Sequence, residues 1–261
     1  MKIITWNINS VRLRLQLVLD LLANQQPDVL CLQETKCPDD QFPHDAFEAA
    51  GYCHRAIRGE KGYNGMAILA RQPLHDVRHL NWVGRQDCRH LAATLASGID
   101  IHNFYIPAGG DVPDPATNDK FAHKLEFLKE LEDWSRDQTD QPAVLVGDLN
   151  IAPRDDDVWS HKQLLKIISH TPVETDGLNA VMAAGGWQDA VRQMIPDGPL
   201  YSWWSYRARD WDAADKGRRL DHIWVTTPLQ DHIKAATVLR EVRGWTQPSD
   251  HAPVVMEMRQ S

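Results

Sequence analysis

Val144-Leu145-Val146-Gly147-Asp148-Leu149-Asn150 is a short apolar run that ends abruptly on a carboxylate and a carboxamide. The run reads as a buried strand and the polar pair as the loop just past its end. Ile3-Ile4-Thr5-Trp6-Asn7-Ile8-Asn9 has the same form. Runs at 3–6, 29–32, 66–70, 91–96, 99–106, 144–146, 220–225 and 254–258 are nearly continuous in apolar character, as strands covered on both faces are. Amphipathic helices lie between them. One spans 11–25, with Leu15, Val18, Leu19 and Leu22 on one face, Ser10 as N-cap and Pro27 as its stop. Another spans 121–134, with Phe121, Leu125, Leu128 and Leu131 aligned and Asn118 or Asp119 as its cap. The echo between 3–7 and 144–150 points to two similar halves stacked sheet on sheet, with helices outside.

The 261 residues suffice for a substantial core, and we expect one domain over 1–261. No stretch reaches the roughly 18 apolar residues of a membrane span, and Met1 leads straight into strand-like sequence rather than a signal peptide. Cys31, Cys37, Cys53 and Cys88 have no zinc-like spacing, so reduced thiols and a cytoplasmic location are expected. The net charge of −8, from 28 basic and 36 acidic residues, argues against a passive DNA-wrapping role. It leaves room for a nuclease, because a metal site needs carboxylates. Arg207, Arg209, Lys216, Arg218 and Arg219 form the best basic cluster. The acidic stretches 111–115 and Asp155–Asp157 read as loops.

Acidic and amide groups recur at strand ends. Glu34 follows Val29-Leu30-Cys31-Leu32 and reads either as a metal ligand or as a solvated strand end. Asn7 and Asn9 offer neutral oxygen ligands or simply form a turn. Alternation along an extended segment would point Asp148 and Asn150 to one side, with an Asx-turn as the plain alternative. Asp148 there can deprotonate a water, and Asn150 can donate to a phosphoryl oxygen. Of the dipeptides Asp221-His222, Asp231-His232 and Asp250-His251, the useful pairing is across strands. Asp221 would orient His251 and raise its pKa, leaving Asp250 for metal. Asp231-His232 reads as a solvated turn, and His44, His75, His123, His161 and His170 as surface or core residues. Tyr105 ends a strand, where its phenol can hold a phosphate or stabilise a leaving oxygen. Trp203, Trp204, Tyr206, Arg207, Arg209 and Trp211 interleave aromatic and basic groups suited to stacking on a sugar or base, or to a strand with one solvated face. Arg89 is a further phosphate candidate.

Taken in order, these islands resemble the exonuclease III family of DNA-repair nucleases, within the endonuclease–exonuclease–phosphatase superfamily. The resemblance runs from Lys2 to Met258. Its carriers are Trp6-Asn7-Ile8-Asn9-Ser10-Val11-Arg12, Leu32-Gln33-Glu34-Thr35-Lys36, Gly62-Tyr63-Asn64-Gly65, Gly147-Asp148-Leu149-Asn150, Arg219-Leu220-Asp221 and Ser249-Asp250-His251-Ala252-Pro253. It implies an α/β fold, a four-layered α/β/β/α sandwich of two packed mixed sheets with the site at one edge. It implies dependence on Mg²⁺ or Mn²⁺ and a monomer acting on duplex DNA with abasic sites or blocked 3′ ends. The reaction implied is hydrolysis 5′ to the abasic site, with 3′-end cleaning and 3′–5′ degradation.

By the same resemblance Glu34 is the principal metal ligand, with Asn7, Asp148, Asn150 and Asp250 around it. Asp148 is the base, Asn150 and Tyr105 contact the reacting phosphate, and Asp221 supports His251. Lys36, Arg89, Trp203, Trp204, Arg207 and Arg218 face DNA. The number of metals and the group that takes the proton stay open. Three positions depart from the family pattern: Asn9 stands where eukaryotic members have Asp, Ala108 where Asn is common, and Arg218 where some relatives have a pocket-walling Trp. The rival readings are a phosphomonoesterase or lipid phosphodiesterase with the same core, and an inactive DNA-binding scaffold.

Overall fold

The computed structural model describes residues 1–259. Its strands are β1 (Lys2–Asn7), β2 (Val29–Gln33), β3 (His54–Arg58), β4 (Met66–Ala70), β5 (Leu74–Arg78), β6 (His90–Leu95), β7 (Asp100–Tyr105), β8 (Ala143–Asp148), β9 (Gln188–Asp189), β10 (Trp203–Trp204), β11 (Gly217–Arg218), β12 (Asp221–Val225), β13 (Ile233–Val238) and β14 (Val254–Met258). The helices are α1 (Leu15–Gln25), α2 (His44–Ala49), α3 (Asp119–Ser135), α4 (His161–Leu164), α5 (Pro172–Ala184), α6 (Ala190–Met194) and α7 (Trp211–Ala214).

Two mixed six-stranded sheets result, in the orders β13-β14-β1-β2-β4-β3 and β5-β6-β7-β8-β12-β9. Each has a single parallel pair at its centre, β1 with β2 and β7 with β8. A parallel pair needs a crossover, and each is bridged by one of the amphipathic helices, α1 or α3. Alternation along a central strand then assigns every side chain to a layer. Ile3 of β1 packs between the sheets with Cys31, Ile68, Ala93, Val146 and Ile223. Ile4 and Trp6 point outward to Val18, Leu21 and Leu22 of α1. On the far side, Phe104, Leu145 and Trp224 meet Phe127, Leu128 and Leu131 of α3 and Leu178 and Val181 of α5. The result is the four-layered α/β/β/α sandwich.

The echo between 3–7 and 144–150 has a structural meaning that differs from two sequential halves. Read from β13 and from β9 inward, the two sheets share one pairing pattern, and β1 and β8 occupy the same place in it. The sheets nevertheless divide the chain unequally, because β13 and β14 return to the first sheet. Helix α1 starts at Leu15, not 11, and Ser10 is not its side-chain cap; 11–14 form turns and Arg14 stands at the N-cap. Ser10 has φ +90°, unsuited to an N-cap. Leu21 rather than Leu19 is buried on α1. Asn118 caps α3, accepting from the Lys120 and Phe121 amides. No helix among the described residues is long and apolar enough to cross a membrane.

A polar contact pins the two sheets together beneath one edge. Gln33 Nε2 donates to Asn103 Oδ1 at 2.7 Å, and Asn103 Nδ2 donates to the carbonyls of Leu32 and Ala67. Gln33 and Asn103 are fully buried, where an unmatched polar group costs free energy, so sliding of the sheets is resisted.

Candidate active site

Above that pin the strand ends converge. Asn7 closes β1 and Glu34 follows β2 from the first sheet; Tyr105 closes β7 and Asp148 closes β8 from the second. Tyr105 and Asp148 are partners in the parallel pair, and Asp221 pairs with Asp148 across the antiparallel β12–β8 ladder. Gly147 allows the close approach: a Cβ there would lie 1.9 Å from the Phe104 carbonyl oxygen, at φ +138°. Non-glycine residues with left-handed φ cluster around the edge, namely Asn9, Ser10, Glu34, Lys36 and Asn150. Such backbone conformations are held where packing over-determines them, often at functional sites.

Two carboxylates face each other across one amide. Asn7 Nδ2 donates to Glu34 Oε1 and to Asp148 Oδ2, both at 2.9 Å. Its Oδ1 accepts the Asn9 amide at 3.1 Å, so in this arrangement Asn7 is a donor between carboxylates and not a free oxygen ligand. Glu34 Oε1 also accepts from Tyr105 Oη at 2.8 Å, and Oε2 lies 2.7 Å from Lys36 Nζ. Burial works to raise the Glu34 pKa, but Lys36 and the Asn7 and Tyr105 donors outweigh it and hold the carboxyl below its usual range. Burial, then the Glu34 and Asp148 charges, push the Tyr105 phenol well above its ordinary value. It therefore stays a donor at any physiological pH.

Asp148 is buried and fully engaged. Oδ1 accepts the Asn150 amide at 2.9 Å, and Oδ2 accepts Asn150 Nδ2 at 3.1 Å beside the Asn7 contact. The two side chains meet through an Asx-turn with Asn150 at φ +53°, not through strand alternation. The other Asn150 Nδ2 hydrogen goes to the Ile106 carbonyl, so both its donors are committed within the protein. His251 stands between the two second-sheet aspartates. Nδ1 is 2.8 Å from Asp221 Oδ2 and Nε2 is 3.7 Å from Asp148 Oδ2. Ser202 Oγ donates to the same Asp221 oxygen at 2.6 Å, while Asp221 Oδ1 is buried without a partner.

These contacts raise both pKa values, for different reasons. Burial alone would lower the His251 pKa, but Asp221 and then Asp148 push it up to about 10. Burial pushes Asp148 up to about 7, His251 opposing it and Asp221 and Glu34 reinforcing it. Near neutrality the imidazole is a cation with donors at both nitrogens. The Asp148 carboxyl is poised to take up or release a proton.

The donor set suits a hard divalent cation, since carboxylate and carboxamide oxygens dominate it. Positive charge is already seated there: Lys36 Nζ lies between Glu34 Oε2 and Asn9 Oδ1, at 2.7 and 2.6 Å. Asp250 sits at the rim, accepting from Trp203 Nε1 at 3.0 Å and from Asn9 Nδ2 at 3.4 Å. Asp148, Asp221 and His251 also bring ligand atoms within 4.8 Å of one another.

The DNA-facing candidates divide. Arg89 Cζ lies 4.8 Å from the Tyr105 ring centroid, and Arg89 is held by Asp87. Half-buried Trp203 carries Arg218 over its ring, and Arg218 Nη1 donates to Ile168 O and Ser169 Oγ. Arg207, Arg209 and Lys216 are exposed. Trp204 is not available for stacking on a substrate: it is buried, donates to Asp215 and packs against Trp211. Arg219 leaves the basic cluster for the same reason, being buried against Asp157 and Asp189. Asp157 with it is core rather than loop surface. Asp231 is exposed, at the end of a 3₁₀ turn.

Sequence reasoning missed one supporting group. Lys124 is buried against Glu174 Oε1 at 2.5 Å, and Lys124 Nζ donates to the carbonyls of Asn150 and Ala108 at 2.9 and 3.3 Å. Its signal was present: Phe121, Lys124, Leu128 and Leu131 share one helical face, and a lysine within an apolar stripe needs a buried partner.

A family model described as Endonuclease/Exonuclease/phosphatase family matches residues 4–251. The chain is 30% identical to exodeoxyribonuclease III of Haemophilus influenzae, over 99% of this chain and 100% of that one. An AP endonuclease structure from Archaeoglobus fulgidus superposes with a TM-score of 0.92 at 32% identity, covering 99% of both chains. A 3′ phosphatase from Neisseria, solved with a product DNA hairpin, gives 0.91 at 35% identity with the same coverage. With these matches along its whole described length, the chain belongs to the exonuclease III / AP endonuclease family of hydrolases within the endonuclease/exonuclease/phosphatase superfamily.

Proposed function

We propose that this protein is a divalent-metal-dependent DNA-repair nuclease, one catalytic domain over 1–261, that hydrolyses the phosphodiester 5′ to abasic sites in duplex DNA. The observation that carries the mechanism is the geometry of the Asp221–His251–Asp148 row, with Nδ1 2.8 Å from Asp221 Oδ2 and Nε2 3.7 Å from Asp148 Oδ2. Both aspartates favour the protonated form of His251, and we assign Asp148, buried beside it, as the group that takes the proton of the attacking water. His251, oriented by Asp221, presents its Nε2–H to an anionic phosphoryl oxygen. Asn150 and Asn7 hold the Asp148 carboxylate in place rather than touching phosphate. Tyr105 keeps its proton as a donor near Glu34. A divalent cation held by Glu34, with Asp250 and a turned-over Asn7 amide beside it, would neutralise phosphate charge and polarise the ester. The exposed Arg207, Arg209 and Lys216 supply backbone contacts to DNA.

The test is cleavage of an end-labelled duplex carrying one central abasic analogue, with Mg²⁺ or with EDTA. A single Mg²⁺-dependent cut that disappears in Asp148→Asn supports this reading. Wild-type-like incision by Asp148→Asn removes Asp148 from the mechanism.

A second reading within the family has its own support. Arg218, tied to Ile168 and Ser169 over the Trp203 ring, stands on the side where the resemblance places an abasic-sugar pocket. The Neisseria relative, at 35% identity, is described both as a 3′ phosphatase and as a 3′–5′ exonuclease. A ladder shortening from the 3′ end, or release of a 3′ phosphate without incision, would make end processing the principal activity. No cutting by the folded protein would return phosphomonoester and lipid substrates to consideration.

A further inference from the structure

We propose that Asp155, His161 and His170 form a second cation site that takes one first-row transition-metal ion of the Zn²⁺ class, apart from the strand-end carboxylates. His161 Nδ1 lies 2.8 Å from His170 Nε2 and 3.1 Å from Asp155 Oδ1. The three ligand atoms all fall within 4.8 Å of one another.

The tautomer of His170 decides what this cluster is. His170 is buried, and its Nδ1 is 2.7 Å from the Ala152 carbonyl oxygen, which can only accept. Nδ1 therefore carries the hydrogen, and Nε2 turns a lone pair on His161. An imidazole held through one N–H by a backbone carbonyl, with the other nitrogen free to bind, is the usual posture of a metal-ligating histidine. In the ion-free protein, the proton on His161 Nδ1 is directed at His170 Nε2, with Asp155 Oδ1 3.1 Å away. It occupies the place a cation would take.

Small movements convert one arrangement to the other. Zinc–nitrogen bonds of about 2.0–2.1 Å in a tetrahedron separate ligand atoms by roughly 3.3 Å. The His161–His170 and His161–Asp155 spacings need to open by about 0.5 and 0.2 Å. The side chains of His161 and Asp155 are 41% and 80% exposed, so both can give way, and solvent reaches the site to supply a fourth ligand. Two imidazoles with one carboxylate favour Zn²⁺, Co²⁺ or Ni²⁺ over Mg²⁺, the reverse of the oxygen-rich active site. The ion would fasten the segment after Asn150 to the segment preceding α5. Ser169, which accepts from Arg218, adjoins His170 there.

The experiment is a Co²⁺ titration of the full chain with Mg²⁺ in excess, read by visible absorption. One equivalent of Co²⁺ should give the intense bands of a nitrogen-ligated tetrahedral site, removed by one equivalent of Zn²⁺. His161→Ala should abolish the bands and weaken Co²⁺ binding about tenfold or more, with its metal-free circular dichroism unchanged. Asp155→Ala, at an exposed side chain, should weaken binding without affecting folding. Bands should persist in Asp148→Asn. Absence of bands in the wild type, or bands that survive His161→Ala, would overturn the proposal.

Discussion

Replacing Glu174 by alanine tests whether the buried ion pair is what supports the active-site floor. Lys124 is buried, and its ammonium would keep only the carbonyls of Asn150 and Ala108. Glu174 also accepts from the Ser169 and Thr171 amides and from Thr171 Oγ1, so three loop donors lose their partner as well. Removing one member of a buried pair costs about 3–5 kcal/mol, because the remaining charge is stranded. For a chain of this size that lowers Tm by roughly 6–20 °C. The assay is urea unfolding of wild type, Glu174→Ala and the double variant Lys124→Met/Glu174→Leu. The double variant should recover about 2 kcal/mol relative to Glu174→Ala, since no charge is left buried. It should still fall below wild type, because Ser169 and Thr171 keep unmatched donors. Glu174→Ala within about 1 kcal/mol of wild type, or a double variant no better than the single, would refute the reasoning. Incision should fall in Glu174→Ala at temperatures where the protein is still folded, as the Lys124 that holds the Asn150 carbonyl loses its own partner.

Asp221→Asn should bring the His251 pKa down from about 10. The raised folded value gives stability that is full below about 6.5 and is lost as pH rises through about 10. The imidazole NMR resonance should therefore stay protonated at pH 8 in wild type and titrate below that in the variant; identical titrations would discount the Asp221 contact. Gly147→Ala forces a Cβ to 1.9 Å from Phe104 O and should cost about 4 kcal/mol or more. Gly98→Ala, also at positive φ but in open space, should cost about 1–2 kcal/mol, and equal losses in denaturant titrations would count against the close-approach argument. Glu34→Ala should raise the Mg²⁺ concentration needed for half-maximal cleavage at least about tenfold, and unchanged activation would remove Glu34 from metal binding.

Legibility in the sequence followed burial. Strands β2, β4, β8 and β12 are buried along their whole length, and β1 at all but Lys2, which makes their apolar runs continuous and readable. Strands β3, β5 and β13 leave most residues half-buried or exposed, so their pattern is faint. Helix α5 announced itself through Pro172 and the Thr171–Glu174 capping box, a signal not read. Residues at strand ends could be named because the strands could. How they engage one another could not. Whether Asn7 offers oxygen or N–H depends on Asp148, 141 residues away, and whether Asn150 faces phosphate or Asp148 depends on the Ile106 carbonyl, 44 residues away. Trp204 and Arg219 looked like surface groups because their partners, half-buried Trp211 and buried Asp157, are set by loop packing rather than periodicity.

Strand β14 lies between β13 and β1, so the first strand made is paired on one side only by one of the last. While the ribosome is still working toward residue 249, Asn7, Glu34, Tyr105 and Asp148 have all emerged, yet β1 has an open edge. Asp221 then has no imidazole to orient. Residues 249–258 therefore complete in one step both the open edge of β1 and the Asp221–His251 contact, the last piece of the proposed site to be made.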